Sequence, residues 1–116
     1  MQTTQLALLG GFTFAVQGDE HSIRAVYCAD LLSWAMGAAP SGAAWCTVMG
    51  NVNAVAVASL TDAAVIVLCE NAAPDEAMLD KARLQDINIV RTPLPVFEAG
   101  LSIARAAGLY PEAAPQ

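Results

Sequence analysis

The sequence predicts an α/β domain with a mostly parallel sheet and helices packed on it. Segments typical of strands alternate with segments typical of helices over most of the chain, which favours repeated strand–helix units. Residues 63–68 form a continuous apolar run, as expected of a strand buried on both faces of a parallel sheet. Hydrophobic residues make up 56% of the 116 residues, so the chain can bury one sizeable core without disulfides or a structural metal.

The first part of the chain is predicted to contain a short helix and a first strand pair. Residues 3–9 are typical of one or two helical turns, which Gly10 and Gly11 end. Residues 12–16 alternate between apolar and other side chains, which indicates a strand with one buried face. Residues 23–28 form the second strand, after a polar turn.

A second, shorter helix is predicted directly after this pair. Asp30 can cap a helix over residues 31–36, and Gly37 is expected to end it. Residues 38–42 are small or proline and indicate a loop, after which residues 45–49 form the third strand.

The segment 54–60 alternates like a strand, but it also has one apolar face at helical spacing. We predict a helix for a topological reason. Joining the strand 45–49 in parallel to the strand 63–68 requires a crossover of about a dozen residues, which is usually helical.

The remaining elements continue the alternation. Residues 74–84 are predicted to form a helix, because a proline in the first turn and the acids after it suit the positive end of the helix dipole. Residues 87–90 form a short strand. The last helix is predicted to begin at Thr92 or Pro93 and to end at Gly108. We therefore expect a single domain over residues 1–110 and a flexible tail over residues 111–116.

Charge and hydropathy exclude several partners. The net charge is −6 and the five basic residues are scattered, so the basic stripe that nucleic acid requires is missing and an anionic membrane surface is disfavoured. No stretch supplies the ~20 mostly apolar residues of a spanning helix, and no signal peptide opens the chain, so we expect a cytoplasmic protein. Charged residues make up only 14%, which favours burial of apolar surface against a partner.

The sequence offers little for catalysis or for metal binding. The phosphate-binding loop, the dinucleotide-binding glycine pattern and the nucleophile elbow are all missing. Cys28, Cys46 and Cys69 lie in apolar segments, which favours reduced, buried and unreactive thiols. With one histidine besides, the chain has too few ligands for a metal centre. We predict no metal, no cofactor and no enzymatic activity.

A ligand site is expected where the parallel strands end. Ligands of such sheets lie beyond the carboxyl ends of the strands, at helix N-termini. The polar residues that follow the four later strands are Asp30, Ser33, Asn51, Asn53, Glu70, Asn71, Arg91 and Thr92. From these we predict a ligand-binding edge that consists of Asp30, Ser33, Asn51, Asn53, Arg91 and Thr92.

Each of these residues also has a purely structural interpretation. One of Asn51 and Asn53 can cap a helix while the other adopts a left-handed conformation, or their amides can hold a phosphate or a base. Asp30 is either a helix cap or a ligand contact. Arg91 is either a partner in a surface ion pair or an anion clamp, with Thr92 adding a hydroxyl and a cap.

The predicted helix 31–36 is apolar nearly all round. Such a helix must be buried on more than one side, and tryptophan is enriched at protein interfaces. We therefore predict self-association through Leu31, Trp34 and Met36.

Several stretches resemble stand-alone proteins of the DRTGG domain family. They are residues 26–37 (VYCADLLSWAMG), 45–53 (WCTVMGNVN), 55–58 (VAVA), 74–76 (PDE) and 87–92 (INIVRT). The resemblance covers nearly the whole chain and implies an α/β fold like the N-terminal domain of HPr kinase/phosphorylase. It also implies a regulatory, often dimeric protein without established catalytic residues.

The family context implies partners as well. DRTGG domains accompany CBS-domain regulatory regions of pyrophosphatases, and stand-alone versions lie beside iron-only hydrogenase and NADH-oxidising subunits. This chain departs from the name-giving pattern, because residues 50–53 (GNVN) stand where relatives carry an Asp-Arg turn. That departure weakens anion binding at the turn.

The hypothesis that follows is a non-catalytic regulatory module that acts as a homodimer. It would sense a small ligand, with a nucleotide among the candidates, and modulate a redox enzyme of the hydrogenase or NADH-dehydrogenase type. The alternative is a structural protein–protein interaction module without a small ligand.

Overall fold

The computed structural model describes residues 1–110 and contains one sheet of five strands. The strands are β1 (Thr13–Val16), β2 (Ala25–Cys28), β3 (Ala43–Thr47), β4 (Val65–Leu68) and β5 (Ile89–Arg91), in the order β1-β5-β4-β3-β2. Strands β2 to β5 run parallel to their neighbours, and β1 joins β5 antiparallel. The mostly parallel sheet is therefore confirmed.

Helices cover both faces of this sheet. They are a 3₁₀ helix (Thr3–Leu8), α1 (Leu32–Ala38), α2 (Val52–Thr61), α3 (Glu76–Leu84) and α4 (Val96–Ala107). The crossover helices α1, α2 and α3 contribute to one core, whereas α4 and the 3₁₀ helix contribute to the other. This three-layer arrangement confirms the predicted fold class.

The two cores explain why the central strands are apolar throughout. Every residue of β3 and β4 is buried. On the crossover-helix face the core includes Trp45, Val55, Ile66, Met78 and Ile89. On the α4 face it includes Leu6, Cys46, Val67, Ala99 and Ile103. Successive side chains of β3 and β4 point to opposite faces of the sheet, and both faces are covered. These strands therefore need mostly apolar residues on both faces.

The first two strands do not pair with each other, contrary to the sequence-based prediction. They form opposite edges of the sheet, β1 beside β5 and β2 beside β3. The connection between them is held across the amino ends of the strands, where the Asp19 N–H donates to the Asp86 carbonyl (3.0 Å) and the Gly18 N–H donates to Asn88 Oδ1 (2.8 Å). The chain therefore crosses the sheet instead of turning back in a hairpin.

Prolines, and not glycines, set two helix boundaries that differ from the prediction. Helix α1 passes through Gly37 and ends at Ala38, because Pro40 disfavours helical backbone at Ala39. Helix α4 begins at Val96 and not at Thr92 or Pro93, because the later Pro95 keeps the residue before it out of the helical region.

Smaller corrections concern the first part of the chain. The amino-terminal helix is a 3₁₀ helix, α2 begins at Val52, two residues earlier than predicted, and β3 begins at Ala43 and not at Trp45. Among residues 1–110, no helix is both long enough and apolar enough to cross a membrane. The predicted flexible tail, residues 111–116, lies outside the described residues, so the division at residue 110 stays a prediction.

Candidate functional site

The connections after β4 and β5 leave the sheet in opposite directions. The chain enters α3 on one face after β4, and it enters α4 on the other face after β5. Adjacent parallel strands with diverging connections leave a crevice at their carboxyl ends, which is where open α/β sheets bind ligands. The topology therefore singles out the β4–β5 boundary among all positions along the carboxyl edge.

A cleft of about 490 Å³ opens at this boundary. Its walls come from the outer edge strand, from the β4–α3 connection, from one residue of α3 and from the end of β5; the lining residues are Thr13, Phe14, Ala15, Asn71, Ala73, Pro74, Leu79, Arg91 and Thr92. Small-molecule sites have volumes of roughly 300–1,000 Å³, so the cleft is large enough for a small ligand.

A tight turn forms one wall of the cleft. Glu70 and Asn71 both have left-handed backbone, with φ of 56° and 58°, and the Ala72 N–H donates to the Cys69 carbonyl (3.0 Å). The Glu70 N–H donates to the Leu94 carbonyl (2.9 Å). Backbone of this kind costs on the order of 1 kcal/mol per non-glycine residue and is concentrated at ligand sites.

Arg91 is fixed on the cleft wall by backbone carbonyls. Its Nε donates to the Ala72 carbonyl (3.2 Å) and its Nη2 donates to the Asn71 carbonyl (3.0 Å). Among residues 1–110 no carboxylate lies within ion-pairing distance of Arg91, so the interpretation as a surface ion pair finds no partner in this part of the chain. The guanidinium keeps further N–H groups and a full positive charge that these carbonyls do not neutralise.

Thr92 is buried and shapes the connection to α4. Its Oγ1 accepts a hydrogen bond from the Leu94 N–H (3.3 Å), and its own N–H donates to the Leu68 carbonyl (2.9 Å). The prediction that Thr92 caps the last helix is wrong, because the helix begins after Pro95. Thr92 instead lines the cleft and fixes the start of the connection between β5 and α4.

Asp30 and Ser33 lie at the β2 end of the sheet, away from the cleft lining. Asp30 Oδ1 accepts hydrogen bonds from the Thr47 hydroxyl (2.8 Å) and from the Val48 N–H (2.9 Å). The residue before α1 is Leu31, without a side-chain cap, so the prediction that Asp30 caps this helix is wrong. Asp30 instead accepts hydrogen bonds from groups at the end of β3. Ser33 is exposed on α1.

Asn51 caps α2, because its side chain accepts a hydrogen bond from the Asn53 N–H (3.0 Å). Asn53 belongs to the first turn of that helix and is not left-handed, so that part of the structural interpretation is wrong. The preceding Gly50 packs against the cleft wall, since its carbonyl accepts from the Asp75 N–H (3.0 Å). A β-carbon at Gly50 would lie 2.5 Å from the Ala73 carbonyl oxygen.

The cleft thus contains two of the six predicted ligand residues, Arg91 and Thr92. Ligand binding at Asp30, Ser33, Asn51 and Asn53 stays a prediction. Thr13, Phe14 and Pro74 line the cleft although the sequence did not point to them, and Asn71 lines it although it was not among the six predicted residues. The apolar sequences of β3 and β4 could have pointed to the cleft. They indicate a sheet that is covered on both faces, and in such a sheet at least one connection must lead to the second face.

Helix α1 leaves its large side chains uncovered. Leu31, Trp34 and Met36 are 59%, 67% and 51% exposed, and Ala35 is the only residue of α1 that is buried. Residues 1–110 therefore do not bury this helix on two sides, and self-association stays a prediction. We refer to Leu31, Trp34 and Met36 as the α1 surface.

The three cysteines differ in exposure. Cys46 and Cys69 are buried, as predicted, but Cys28 is exposed, which corrects the prediction of three buried thiols. The reason is position, because Cys28 ends the edge strand β2 whereas Cys46 lies in the central strand β3. Among residues 1–110 no group of three or more histidine, cysteine, aspartate or glutamate side chains is placed to hold a metal ion.

No family model matches the chain, and no curated protein matches it. A similar solved structure is that of the CBS and DRTGG domains of the regulatory region of Clostridium perfringens pyrophosphatase, complexed with the activator diadenosine tetraphosphate. The TM-score is 0.58 at 14% sequence identity, and the match covers 70% of this chain and 35% of that one. The chain therefore spans about a third of that structure's length. At this identity the likeness shows the fold, and the chain has a DRTGG-like α/β domain fold.

Proposed function

We propose that the chain is a non-catalytic regulatory module that binds a small anionic ligand, foremost a nucleotide, in the cleft at the β4–β5 boundary. The observation that carries the proposal is the Arg91 guanidinium, which lines the cleft without a carboxylate partner among residues 1–110. The chain has a net charge of −6. Although the protein is negatively charged overall, the positive charge of Arg91 in the cleft favours the binding of an anionic ligand there.

The position of Arg91 lowers the cost of binding. Its two hydrogen bonds to the Asn71 and Ala72 carbonyls fix the guanidinium plane before any ligand arrives. Side chains that are already ordered lose less entropy on binding. A charge-assisted hydrogen bond from such a group to a phosphate contributes about 1.5–3 kcal/mol.

The other lining groups suit a nucleotide. Phe14 is partly buried in the wall and offers a ring on which a base can stack, which contributes about 1–3 kcal/mol per base in other proteins. The Thr13 hydroxyl and the Asn71 amide are hydrogen-bonding groups of the same cleft. Arg91 can therefore bind the phosphate of a nucleotide while Phe14 contacts its base.

The same lining argues against catalysis in the cleft. It contains no carboxylate, histidine, cysteine or lysine side chain. General acid–base and nucleophilic catalysis near neutral pH depend on such groups. The cleft can bind and orient a ligand, and it supplies no group that would transform it.

The regulatory role rests on analogy and on the exposed helix. The similar structure is a regulatory region complexed with an activator, and fold analogy alone does not assign a function. The α1 surface provides the contact for a homodimer or for a partner enzyme, and the sequence resemblance favours a hydrogenase or NADH-oxidising subunit as that partner. A ligand that binds one of two states more tightly would shift the partner between them.

A thermal-shift experiment with a series of nucleotides tests the proposal. A nucleotide at a hundredfold its dissociation constant adds about 2.7 kcal/mol to the free energy of unfolding. Arg91→Ala is expected to remove this stabilisation. The matched control is Arg105→Ala, which removes the same charge from an exposed position on α4. A full shift in Arg91→Ala, or no shift with any nucleotide in the unsubstituted protein, would contradict the proposal.

A second function is favoured by the exposure of Trp34. Without any ligand, the chain would act as a structural interaction module that docks through the α1 surface. Trp34→Glu is then expected to abolish self-association, as measured by light scattering. Leu84→Glu is the control, because Leu84 is an exposed apolar residue on a different helix. Association that survives Trp34→Glu moves the interface away from α1.

A further inference from the structure

Cys28, Cys46 and Cys69 lie side by side at the carboxyl ends of three adjacent strands. Cys28 in β2 is the direct register partner of Cys46 in β3. Cys46 in turn faces Val67 in β4, and Cys69 follows two residues later. A strand sequence alone does not reveal this alignment, since 18 positions separate the first two cysteines along the chain.

The first two thiols also point to the same side of the sheet. A β-carbon placed on Gly100 of α4 would lie 3.1 Å from Cys28 Sγ and 3.9 Å from Cys46 Sγ. Both sulfur atoms therefore lie beneath the same point of α4, where glycine contributes no side chain. The Cys28 thiol also reaches the Val96 carbonyl oxygen, at 3.9 Å.

Register partners of this kind meet the distance condition for a disulfide. Neighbouring strands lie about 4.8 Å apart. Disulfides join cysteines whose α-carbons are roughly 4.4–6.8 Å apart. The register of Cys28 and Cys46 therefore meets the α-carbon condition without a change of strand pairing.

The two thiols differ in access and in ionisation. Cys28 is exposed, whereas Cys46 is buried. Hydrogen bonding from Cys46 lowers the pKa of Cys28 to about 7, against the raising effects of burial and of the Asp30 carboxylate. Hydrogen bonding to Cys28 and Cys69, together with burial, raises the pKa of Cys46. In the reduced protein the exposed residue Cys28 is thus partly ionised near neutral pH, whereas its buried neighbour Cys46 is protonated.

We propose that Cys28 and Cys46 form a thiol–disulfide exchange site that accepts a low-molecular-weight disulfide such as oxidised glutathione. The site lies between β2 and β3 under α4, and it shares no residue with the lining of the cleft. It is therefore a second site, and its reaction with a disulfide does not require that a nucleotide binds in the cleft.

The exchange proceeds in two balanced steps. The Cys28 thiolate attacks one sulfur of the reagent, forms a mixed disulfide, and releases one glutathione thiolate, which takes up the proton that Cys28 lost. Cys46 then loses its proton to water, and its thiolate attacks Cys28 Sγ and forms the Cys28–Cys46 bond. The Cys28–glutathione bond breaks, and the second glutathione leaves as a thiolate that takes up a proton from water. Two protein thiols are oxidised, and one glutathione disulfide is reduced to two thiols.

Mass spectrometry of the full chain after incubation with oxidised glutathione tests the proposal. The unsubstituted protein is expected to pass through a single glutathione adduct and to end with an internal disulfide. Proteolysis at aspartate, without reduction, locates the bond, because Asp30 separates Cys28 from Cys46 and Asp62 separates Cys46 from Cys69. A bond between any other pair of cysteines, or no oxidation at all, overturns the proposal.

Single substitutions assign the two roles. Cys28→Ser is expected to prevent both products, Cys46→Ala to stop at the glutathione adduct, and Cys69→Ala to leave the internal disulfide unaffected. An internal disulfide in Cys46→Ala, or an adduct in Cys28→Ser, contradicts the assignment. If Cys46→Ala does not fold, the location of the bond in the unsubstituted protein still decides.

The pH dependence of alkylation provides a second readout. The rate of Cys28 alkylation by iodoacetamide is expected to rise with pH and to reach half its maximum near pH 7, because the thiolate is the nucleophile. The titratable groups that act on Cys28 are Cys46 and Asp30, while Val96 and Gly100, the α4 residues next to it, are uncharged. Cys46→Ala should move the midpoint to higher pH, and an unchanged midpoint would contradict the role of Cys46.

Discussion

The two ends of the sheet use their polar groups in opposite ways. At the amino end, the buried Asn88 accepts a hydrogen bond from the Gly18 N–H (2.8 Å) and donates to the carbonyls of Asp19 (2.6 Å) and Ala64 (3.2 Å). At the carboxyl end, Arg91 is held by carbonyls but keeps its charge in an open cleft. Asn88 has its hydrogen bonds satisfied within the protein, whereas Arg91 keeps a charge that no carboxylate among residues 1–110 pairs with.

The charges of the two ends differ as well. A smaller cleft of about 170 Å³ at the amino end is lined by Asp19, Asp62 and Asp86. The cleft at the carboxyl end has one arginine and no carboxylate. The carboxylates at the amino end disfavour an anionic ligand and Arg91 at the carboxyl end favours one. Under the proposed function, substitutions at the two ends should therefore affect different properties. Changes at the amino end should lower stability, and changes at the carboxyl end should alter ligand binding.

The largest expected effect is that of Asn88→Leu at the amino end. This substitution leaves the Gly18 N–H and the carbonyls of Asp19 and Ala64 without their partner. An unpaired polar group costs about 1–3 kcal/mol where it is buried, and Gly18 and Asp19 remain partly accessible to water. We therefore expect a total loss of about 3 kcal/mol in the free energy of unfolding. Urea denaturation measures it. A loss under about 1 kcal/mol would mean that the amino end is not a stabilising network.

Gly18→Ala should have the next largest effect. A β-carbon at Gly18 would lie 2.1 Å from the Asp86 carbonyl oxygen, so the backbone must move. Overpacking of this kind costs about 1–3 kcal/mol. The control is Gly37→Ala in α1, where no atom lies within 4 Å and the better helix propensity should add up to about 1 kcal/mol. Equal melting temperatures for the two variants would contradict the close approach at Gly18.

Gly50→Ala extends the comparison to the carboxyl end. The added β-carbon would lie 2.5 Å from the Ala73 carbonyl oxygen and displace the wall that Ala73 and Pro74 form. We expect a loss of about 1–2 kcal/mol in stability together with a weaker nucleotide shift. Gly18→Ala, by contrast, should leave the nucleotide dissociation constant unchanged. If both variants weaken binding equally, the two ends are not independent.

The smallest effect is expected for Asn53→Ala. The Asn53 side chain is exposed in the first turn of α2 and does not line the cleft, so stability should change by less than about 0.5 kcal/mol. Titration with the best nucleotide distinguishes two site models. Unchanged affinity favours the cleft around Arg91, whereas lost affinity favours the wider edge that also includes Asp30, Ser33 and Asn51.

Local patterns were sufficient to predict most elements. The apolar run in β4 identified a strand buried on both faces, and the need for a parallel crossover resolved the ambiguous segment that became α2. The cap at Asn51 was also predictable, because the side chain and the amide that it binds are two positions apart. In each case the interaction lies within a few residues or follows from chain connectivity.

Features that depend on distant residues could not be read from the sequence. Arg91 is held by carbonyls about 20 positions away, and Asp30 accepts from Thr47 at 17 positions' separation. Carbonyl oxygens are present at every residue, so no residue type marks them as partners. The exposure of Cys28 likewise depends on β2 being an edge strand, which follows from the strand order and not from the strand's own composition.

The turn at Glu70 and Asn71 connects the cleft with the helix that covers Cys28 and Cys46. It is hydrogen-bonded to the Thr92 and Leu94 carbonyls, immediately before α4, and Gly100 of α4 lies over Cys28. A ligand that moves this turn would tilt the helix that covers the thiols. Thermodynamic linkage then requires that nucleotide occupancy and the redox state of Cys28 change each other's equilibrium by the same factor. The ratio of the nucleotide affinities of the reduced and the oxidised protein measures that factor. Equal affinities would show that the two sites are not coupled.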